Sequence, residues 1–330
     1  TGKAGWNIIA KKALGLDNVT ILEIWAVTAV SSVVLVFVIW YLSRVLPWVA
    51  SIPQHPLFPF MRSYWAPTVQ QSESVTLTEA VDNRLFEPAP KNAKVVIVTR
   101  ELRKHFGQQK ALDGVDIEIY EKQVTLLLGH NGAGKTTLMS ILTGILNPSG
   151  GVAMVCGYDV VKSTASARRS IGLCQQSSVF FPDLTVREHL VYFGKLKGLP
   201  GPQASTQADE ALEAVGLQDK PHSLTSGLSG GMQRRLSIAI ATASNPQARS
   251  RVVILDEPSA GLDAESKREI WDLLLGMRSE STLIISTHDM EEADVLADRI
   301  IVMADGRVLC SGSPAFLKKA YGTDRFTGSL

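Results

Sequence analysis

Residues 124–138 read VTLLLGHNGAGKTTL, an apolar run followed by a glycine-rich turn that leads into a helix. The eight residues from Gly129 to Thr136 fit the pattern GxxxxGK[ST], whose glycines let backbone N–H groups point at phosphate oxygens. The apolar run predicts a fully buried strand of a parallel sheet. The residues after the turn predict a helix with one apolar face, at Leu138, Ile141, Leu142, Ile145 and Leu146. Strand, turn and helix together predict an α/β fold that binds phosphate at the start of the helix.

The turn supplies candidate contacts to a nucleoside triphosphate. Lys135 would neutralise the β- and γ-phosphates, and the hydroxyl of Thr136 would ligate Mg²⁺. A purely structural turn is the alternative, but a chance match rarely falls between a buried strand and an amphipathic helix. The candidate nucleotide-binding residues are Gly129, His130, Asn131, Gly132, Ala133, Gly134, Lys135, Thr136 and Thr137.

A second apolar run, residues 252–255, ends in the carboxylates Asp256 and Glu257. Parallel strands present the residues at their carboxyl ends along one edge of the sheet, where ligands bind. Asp256 would hold Mg²⁺, and Glu257 would polarise the water that attacks the phosphate. Taken alone, an acidic pair after a strand is more often an ordinary helix start. The phosphate-binding turn favours the catalytic interpretation.

The composition argues against some classes of protein. The chain has 330 residues and a net charge of +1, without the basic excess typical of nucleic-acid binders. Its cysteines, Cys156, Cys174 and Cys310, are odd in number and widely spaced, which favours reduced thiols in a cytosolic domain over a disulfide framework. The chain starts at Thr1 rather than Met, and we expect it to be a piece of a longer protein.

An uncharged run of mostly apolar residues lies at 24–43. Twenty helical residues span about 30 Å, the thickness of the hydrocarbon core of a bilayer. We therefore expect residues 1–46 to be a transmembrane segment with its flanks, and a buried helix of a soluble protein is the alternative. Residues 47–94 are rich in Pro and aromatic residues, which predicts a connector partly ordered along the membrane surface. An unstructured tether is the alternative there.

Residues 228–233, LSGGMQ, resemble the LSGGQ-type signature of ABC ATPases in its Met-containing form. The motif lies just upstream of the second apolar run, where that family carries it. The resemblance implies that Ser229, Gly230 and Gly231 face the nucleotide held by another cassette, so that two cassettes enclose two ATP molecules. A simple glycine-rich helix cap is the alternative.

Further positions match the same family. Gln176 falls on the Q-loop glutamine that senses Mg²⁺ and the γ-phosphate, and His288 falls on the switch histidine. Both are therefore implied as catalytic residues with Glu257, and Gln176 also as a metal contact. Residues 259–263, SAGLD, resemble the D-loop that passes between cassettes. Phe106 falls where an aromatic ring stacks on adenine, with its neighbour His105 as an equal candidate for that role.

The sequences of several motifs are similar to those of subfamily A of the ABC transporters, including LGHNGAGKTT at 128–137 and GMQRRLS at 231–237. The connector resembles that subfamily too, in Ser63-Tyr64-Trp65. Two residues depart from its pattern, Gln175 and Ala264, each of which stands where Pro is usual. Phe180 and Phe181 follow the Q-loop and are candidates for contact with a short helix of the membrane domain or for a core position.

The resemblance implies an α/β fold: a P-loop NTPase ABC cassette with an antiparallel β portion and a helical subdomain, preceded by one transmembrane helix. We expect residues 95–320 to form the ATP-binding domain and residues 321–330 to start a truncated C-terminal region. The expected function is ATP hydrolysis that powers transport, with lipid as the implied cargo. The full-length protein would be a multi-pass membrane protein with its cassette in the cytosol. The alternatives are a soluble mechanical ATPase of the ABC type and a regulatory cassette that does not hydrolyse ATP.

Overall fold

The computed structural model describes residues 21–45, 56–60, 85–90, 93–177, 179–242 and 252–321. The chain divides into two compact units, Thr1–Met61 and Arg62–Leu330. The expectations for residues 1–20, for most of the connector including Ser63-Tyr64-Trp65, and for residues 322–330 lie outside the described residues.

The first unit contains helix α1 (Ile21–Val45) and a short 3-10 helix (Phe58–Phe60). The stretch Ile24–Ser43 is long and apolar enough to cross a membrane, by length and composition alone, and its side chains lie on the surface. The hydroxyls of Thr28 and Ser31 donate to the carbonyls four residues earlier, at 2.7 Å each. These polar groups are thus satisfied within the helix, as a spanning helix requires.

The second unit is built on a six-stranded sheet in the order β10-β9-β3-β8-β7-β6. Its strands are β3 (Val124–Leu128), β6 (Ile171–Cys174), β7 (Val252–Asp256), β8 (Thr282–Thr287), β9 (Arg299–Ala304) and β10 (Arg307–Gly312). All neighbours are parallel except β10, which pairs antiparallel with β9. Every residue of β3, β7 and β8 is buried because both faces of this sheet are covered, which explains the apolar runs.

The expected antiparallel portion is a four-stranded sheet in the order β2-β1-β4-β5. It comprises β1 (Val95–Phe106), β2 (Gln109–Tyr120), β4 (Gly150–Val155) and β5 (Tyr158–Asp159). Its buried residues share one hydrophobic cluster with the helix that follows the phosphate-binding turn.

The helices of the second unit are α2 (Lys135–Leu142), α3 (Thr164–Arg169), α4 (Val186–Leu196), α5 (Gly201–Ala214), α6 (Gly230–Thr242), α7 (Ala264–Met277), α8 (Met290–Leu296) and α9 (Pro314–Tyr321). Helices α4, α5 and α6 share a hydrophobic cluster of their own, so the expected helical subdomain around the signature is present. Thr185 and Glu188 form a capping box that opens α4.

Helix α2 ends at Leu142, so the prediction that its apolar face continues to Ile145 and Leu146 was wrong. The Thr143 hydroxyl donates back to the Met139 carbonyl at 2.9 Å, and Gly144 has a φ of +68°. A left-handed glycine ends a helix in this way. Ile145 then lies on the following loop with 50% of its surface exposed.

Candidate functional site

The turn between β3 and α2 has a shape that only glycine allows at several positions. Gly132 and Gly134 have φ values of +88° and +101°. A Cβ atom at Gly129 would lie 2.3 Å from the Met303 carbonyl oxygen, and one at Gly134 would lie 2.7 Å from the Ala111 carbonyl oxygen. The turn is therefore held against the two sheets, with helix α2 starting directly after it. Backbone N–H groups at such a helix start are a natural site for an anion.

Lys135 is the first residue of helix α2, and only 5% of its surface is exposed. Its Nζ donates to the carbonyl oxygens of Gly129 at 2.6 Å and His130 at 3.0 Å. Burial lowers the pKa of Lys135, against the opposing influence of the carboxylates of Glu257 and Asp256. A buried ammonium held by neutral carbonyls would be stabilised by a phosphate.

Asp256 ends strand β7 and faces the start of α2. Its Oδ1 accepts a hydrogen bond from Ser286 Oγ, and Thr136 Oγ1 donates to the same oxygen at 3.4 Å. No group of three or more His, Cys, Asp or Glu side chains that could hold a metal lies among the described residues. A cation here would depend on Asp256, Thr136 and the oxygens of a bound ligand. Mg²⁺ suits such a site because it uses one or two protein oxygens together with phosphates and water.

Glu257 contacts the other two residues that are expected to be catalytic. Gln176 Nε2 donates to Glu257 Oε2 at 3.0 Å, and His288 Nδ1 lies 3.3 Å from Glu257 Oε1. The backbone of Glu257 has a φ of +45°, and its N–H donates to Ser286 Oγ at 3.0 Å. A left-handed non-glycine residue is strained, and such strain persists only where neighbours enforce it.

A cavity of about 330 Å³ opens beside these groups. It is lined by Thr136, Met139, Ser140, Thr143, Ile145, Leu173, Gln175, Gln176, Ser177 and Asp256. The cavity extends the site on the Gln176 side of the phosphate-binding turn and does not enclose the turn itself.

The signature residues lie apart from this cluster. Ser229 and Gly230 are exposed, and the Met232 N–H donates to Ser229 Oγ at 3.3 Å at the start of α6. A Cβ atom at Gly231 would lie 2.9 Å from Ser266 Oγ, so this glycine allows α6 to approach α7. Within the described ranges, no hydrogen bond joins these three residues to the phosphate-binding turn.

Phe106 ends strand β1 with 49% of its surface exposed. The ammonium of Lys104 lies 5.2 Å from the centre of its ring. The ring is thus available to a planar ligand on the surface.

Two functional candidates were not predicted from the sequence. Ser286 lies opposite Asp256 in the parallel pairing of β7 with β8, and it contacts both Asp256 and Glu257. Arg234, on α6, donates to the carbonyls of Gln176 and Glu257. The position of Ser286, at the end of a buried strand and two residues before His288, could have indicated its role. No local sequence pattern distinguishes Arg234 from other residues of α6.

Comparison with known proteins agrees with this geometry. A family model described as ABC transporter matches residues 112–260, which include the phosphate-binding turn, the signature and the paired carboxylates. Over 287 residues the chain is 46% identical to the human phospholipid-transporting ATPase ABCA7. The chain belongs to the ABC transporter family. The match covers 86% of the chain, which spans only 13% of the length of ABCA7. The resemblance to subfamily A is confirmed, since members of that subfamily are 37–46% identical over most of the chain.

Solved structures confirm the fold of the cassette. CbiO1 from Clostridium perfringens, part of an ABC transporter complex, is 31% identical with a TM-score of 0.61, and the match covers 68% of this chain and 92% of that one. The dimeric bacterial ABC transporter cassette MJ0796 is 26% identical with a TM-score of 0.59, and the match covers 66% of this chain and 98% of that one.

Proposed function

We propose that this chain is the ATP-binding and ATP-hydrolysing part of a transporter. The observation that carries the proposal is the convergence of Gln176 and His288 on the carboxylate of Glu257. This carboxylate lies at the sheet edge, one residue after Asp256, and acts on the buried Lys135 as a neighbouring charge. Hydrolysis of a nucleoside triphosphate needs a carboxylate that is fixed in position near a lysine that binds the phosphates, and Glu257 and Lys135 meet this requirement.

ATP would bind with its phosphates over the turn between β3 and α2. The N–H groups of the turn and the ammonium of Lys135 would receive the phosphate oxygens, and Phe106 would stack on the adenine. The exposed ring of Phe106, already beside one cation, supports that assignment. The proposed nucleotide contacts are Phe106, Gly129, His130, Asn131, Gly132, Ala133, Gly134, Lys135, Thr136 and Thr137.

Thr136, Asp256 and Gln176 would hold Mg²⁺, and all three line the same cavity. The bound ion would supply charge neutralisation on the phosphates. The hydrogen bond from Ser286 to Oδ1 orients Asp256, and its Oδ2 would face the ion or a water molecule.

Glu257 would orient the attacking water and accept its proton. Gln176 and His288 would hold the carboxylate in place, one on each of its oxygens. A general base must lie within hydrogen-bond reach of the water, and the strained backbone of Glu257 serves to aim its side chain.

A second cassette would complete the site. Ser229 and Gly230 are exposed at a helix start that can bind a terminal phosphate, and the buried Gly231 follows them. Within the described ranges, no hydrogen bond joins the three residues to the turn of their own chain. They would contact ATP held by a partner cassette, either in the same full-length protein or in a second copy. The dimeric structure of MJ0796 supports this arrangement.

The transported cargo would be a membrane lipid, and nucleic acid would have no role. The support is the name of ABCA7, a phospholipid-transporting ATPase, and the apolar helix α1. We propose a membrane segment at 1–46, a connector at 47–94, the cassette at 95–320 and the start of a C-terminal region at 321–330. The full-length protein would be multi-pass, with transmembrane domains as partners of a cytosolic cassette.

The test uses the full chain purified in detergent, with Glu257→Gln beside the wild type. We expect both proteins to bind a fluorescent ATP analogue in the presence of Mg²⁺, and only the wild type to release phosphate. Equal turnover in the two would refute the role of Glu257. Binding without turnover in the wild type, also when a second cassette is supplied, would favour a regulatory cassette. Extraction from membranes by salt alone would favour the soluble mechanical ATPase.

A further inference from the structure

Arg234 lies in the second turn of helix α6, the helix that the signature residues open. It is a buried cation, with 6% of its surface exposed, in the helical subdomain and not in the catalytic sheet. A buried charge is costly unless partners compensate it, so its surroundings indicate what it does.

The guanidinium of Arg234 donates five hydrogen bonds, and all five acceptors are backbone carbonyls. Nη1 donates to Gln175 and, at 3.0 Å, to Gln176. Nε donates to Pro258 at 2.8 Å, and Nη2 donates to Asp256 at 2.6 Å and Glu257 at 2.9 Å. A guanidinium has five N–H donors, so every donor is used.

These acceptors lie at the last residue of β7 and in two separate loops. One follows β6 and carries Gln176, and the other follows β7 and carries Glu257, 81 residues further along the chain. The side chains of the two residues meet at 3.0 Å. The guanidinium of Arg234 therefore binds both loops, next to the hydrogen bond between Gln176 and Glu257 on which the proposed hydrolysis depends.

The same helix carries the signature at its start. Gly231 lies three residues before Arg234, which is nearly one helical turn, and the Gln233 N–H donates to the Ser229 carbonyl at 2.9 Å. A shift of the helix start therefore displaces the guanidinium as well, because an α-helix moves as a rigid segment over one turn.

We propose that Arg234 is a positioning residue that couples the signature end of α6 to the Gln176–Glu257 contact. Contact between the signature and the nucleotide of a partner cassette would set the catalytic geometry of its own cassette through this one side chain. The inference rests on the proposed function and deepens it by naming the link between the two sites. Lysine cannot replace this link, because an ammonium has three donors on a single atom and cannot span both loops.

The next residue supplies a matched control. Arg235 Nη1 donates to the Val215 carbonyl at 3.3 Å, and Nη2 lies 3.7 Å from the carboxylate of Glu269. These contacts are with the end of α5 and with α7, and in the described part of the chain Arg235 donates no hydrogen bond to either loop of the catalytic contact. Arg234→Lys and Arg235→Lys therefore make the same chemical change on the same helix. Only the first changes a residue that contacts the two loops.

The first measurement is hydrogen exchange by mass spectrometry on the full chain, without nucleotide. Arg234→Lys should increase exchange in peptides that cover residues 175–177 and 256–258, whereas Arg235→Lys should leave these peptides unchanged. This arm does not depend on ATP hydrolysis. Unchanged exchange in Arg234→Lys would overturn the proposal, even if the protein proved to be an active ATPase.

The second measurement is phosphate release with a double-mutant cycle. Arg234→Lys should lower kcat by about tenfold or more with KM within about twofold, because a small misplacement of catalytic groups is enough for such a loss. In a Gln176→Ala background the same change should have an effect of less than about twofold, because the contact it supports is already gone. Additive effects, or an equal loss in Arg235→Lys, would show a merely structural role and overturn the proposal. A wild type without turnover would refute the proposed hydrolysis and leave the exchange measurement to decide on Arg234.

Discussion

Replacing Lys135 with Met should weaken ATP binding and leave the folded protein nearly as stable. The Nζ atom of Lys135 has three donors, and the carbonyls of Gly129 and His130 take two of them, at 2.6 and 3.0 Å. Among the described residues these are its two acceptors, and the third donor would be directed to a phosphate oxygen. A hydrogen bond between charged groups contributes about 1.5–3 kcal/mol, which corresponds to a loss of about 10- to 150-fold in affinity.

The effect on stability should be small because two contributions oppose each other. Met removes a buried ammonium whose pKa burial has lowered, which relieves a desolvation penalty. It also leaves two carbonyl oxygens without this donor. We expect the free energy of unfolding to change by about 1 kcal/mol or less.

The assay is a titration of a fluorescent ATP analogue in the presence of Mg²⁺, with urea unfolding of the same samples. The control is Lys318→Met, which makes the same change in charge at an exposed lysine paired with Asp294. The control should bind the analogue with a Kd within about twofold of the wild type. If Lys135→Met also bound it with unchanged affinity, the assignment of the turn as a phosphate site would be refuted.

Two further predictions concern the fold and its dependence on pH. Gly134→Ala should lower the free energy of unfolding by about 2–4 kcal/mol, because its Cβ would lie 2.7 Å from the Ala111 carbonyl oxygen at a φ of +101°. Urea titration checks this, with Gly107→Ala as the control at a positive φ in open space, where about 1 kcal/mol is expected. Burial raises the pKa of Glu292 above its ordinary value of 4.5, so the folded state binds its proton more tightly than the unfolded state. Its contribution to stability is therefore full below about pH 4.5 and is lost as the pH rises through the raised pKa, so the stability of the wild type relative to Glu292→Gln should fall over that interval. A difference between these two proteins that did not vary with pH would contradict the assignment.

Much of the cassette could be predicted because its signals are local. The buried strands β3 and β7 and the capping box before α4 each depend on neighbouring residues. The turn between β9 and β10 is also local, since Asp305 and Gly306 both have a positive φ, 48° and 73°, as an Asp-Gly hairpin requires. Family resemblance added Gln176 and His288, which no local pattern marks.

The error in α2 and the omission of Ser286 have different physical causes. Helix α2 ends earlier than its apolar face suggested because Gly144 adopts a left-handed conformation, and apolar periodicity does not report backbone conformation. Ser286 was missed because its partner Asp256 lies 30 residues away and is brought opposite it by the register of two strands.

The sequence by itself determined the phosphate-binding turn, the buried strands β3 and β7, and the family. These features depend on glycine, apolar runs and capping residues that act within one turn or one strand. Only the tertiary structure decided which side chains meet, because Gln176 and Glu257 are 81 residues apart and Arg234 is 58 residues from Gln176. Contacts over such distances depend on the order of the strands and the packing of α6 against the sheet, and no local pattern encodes either.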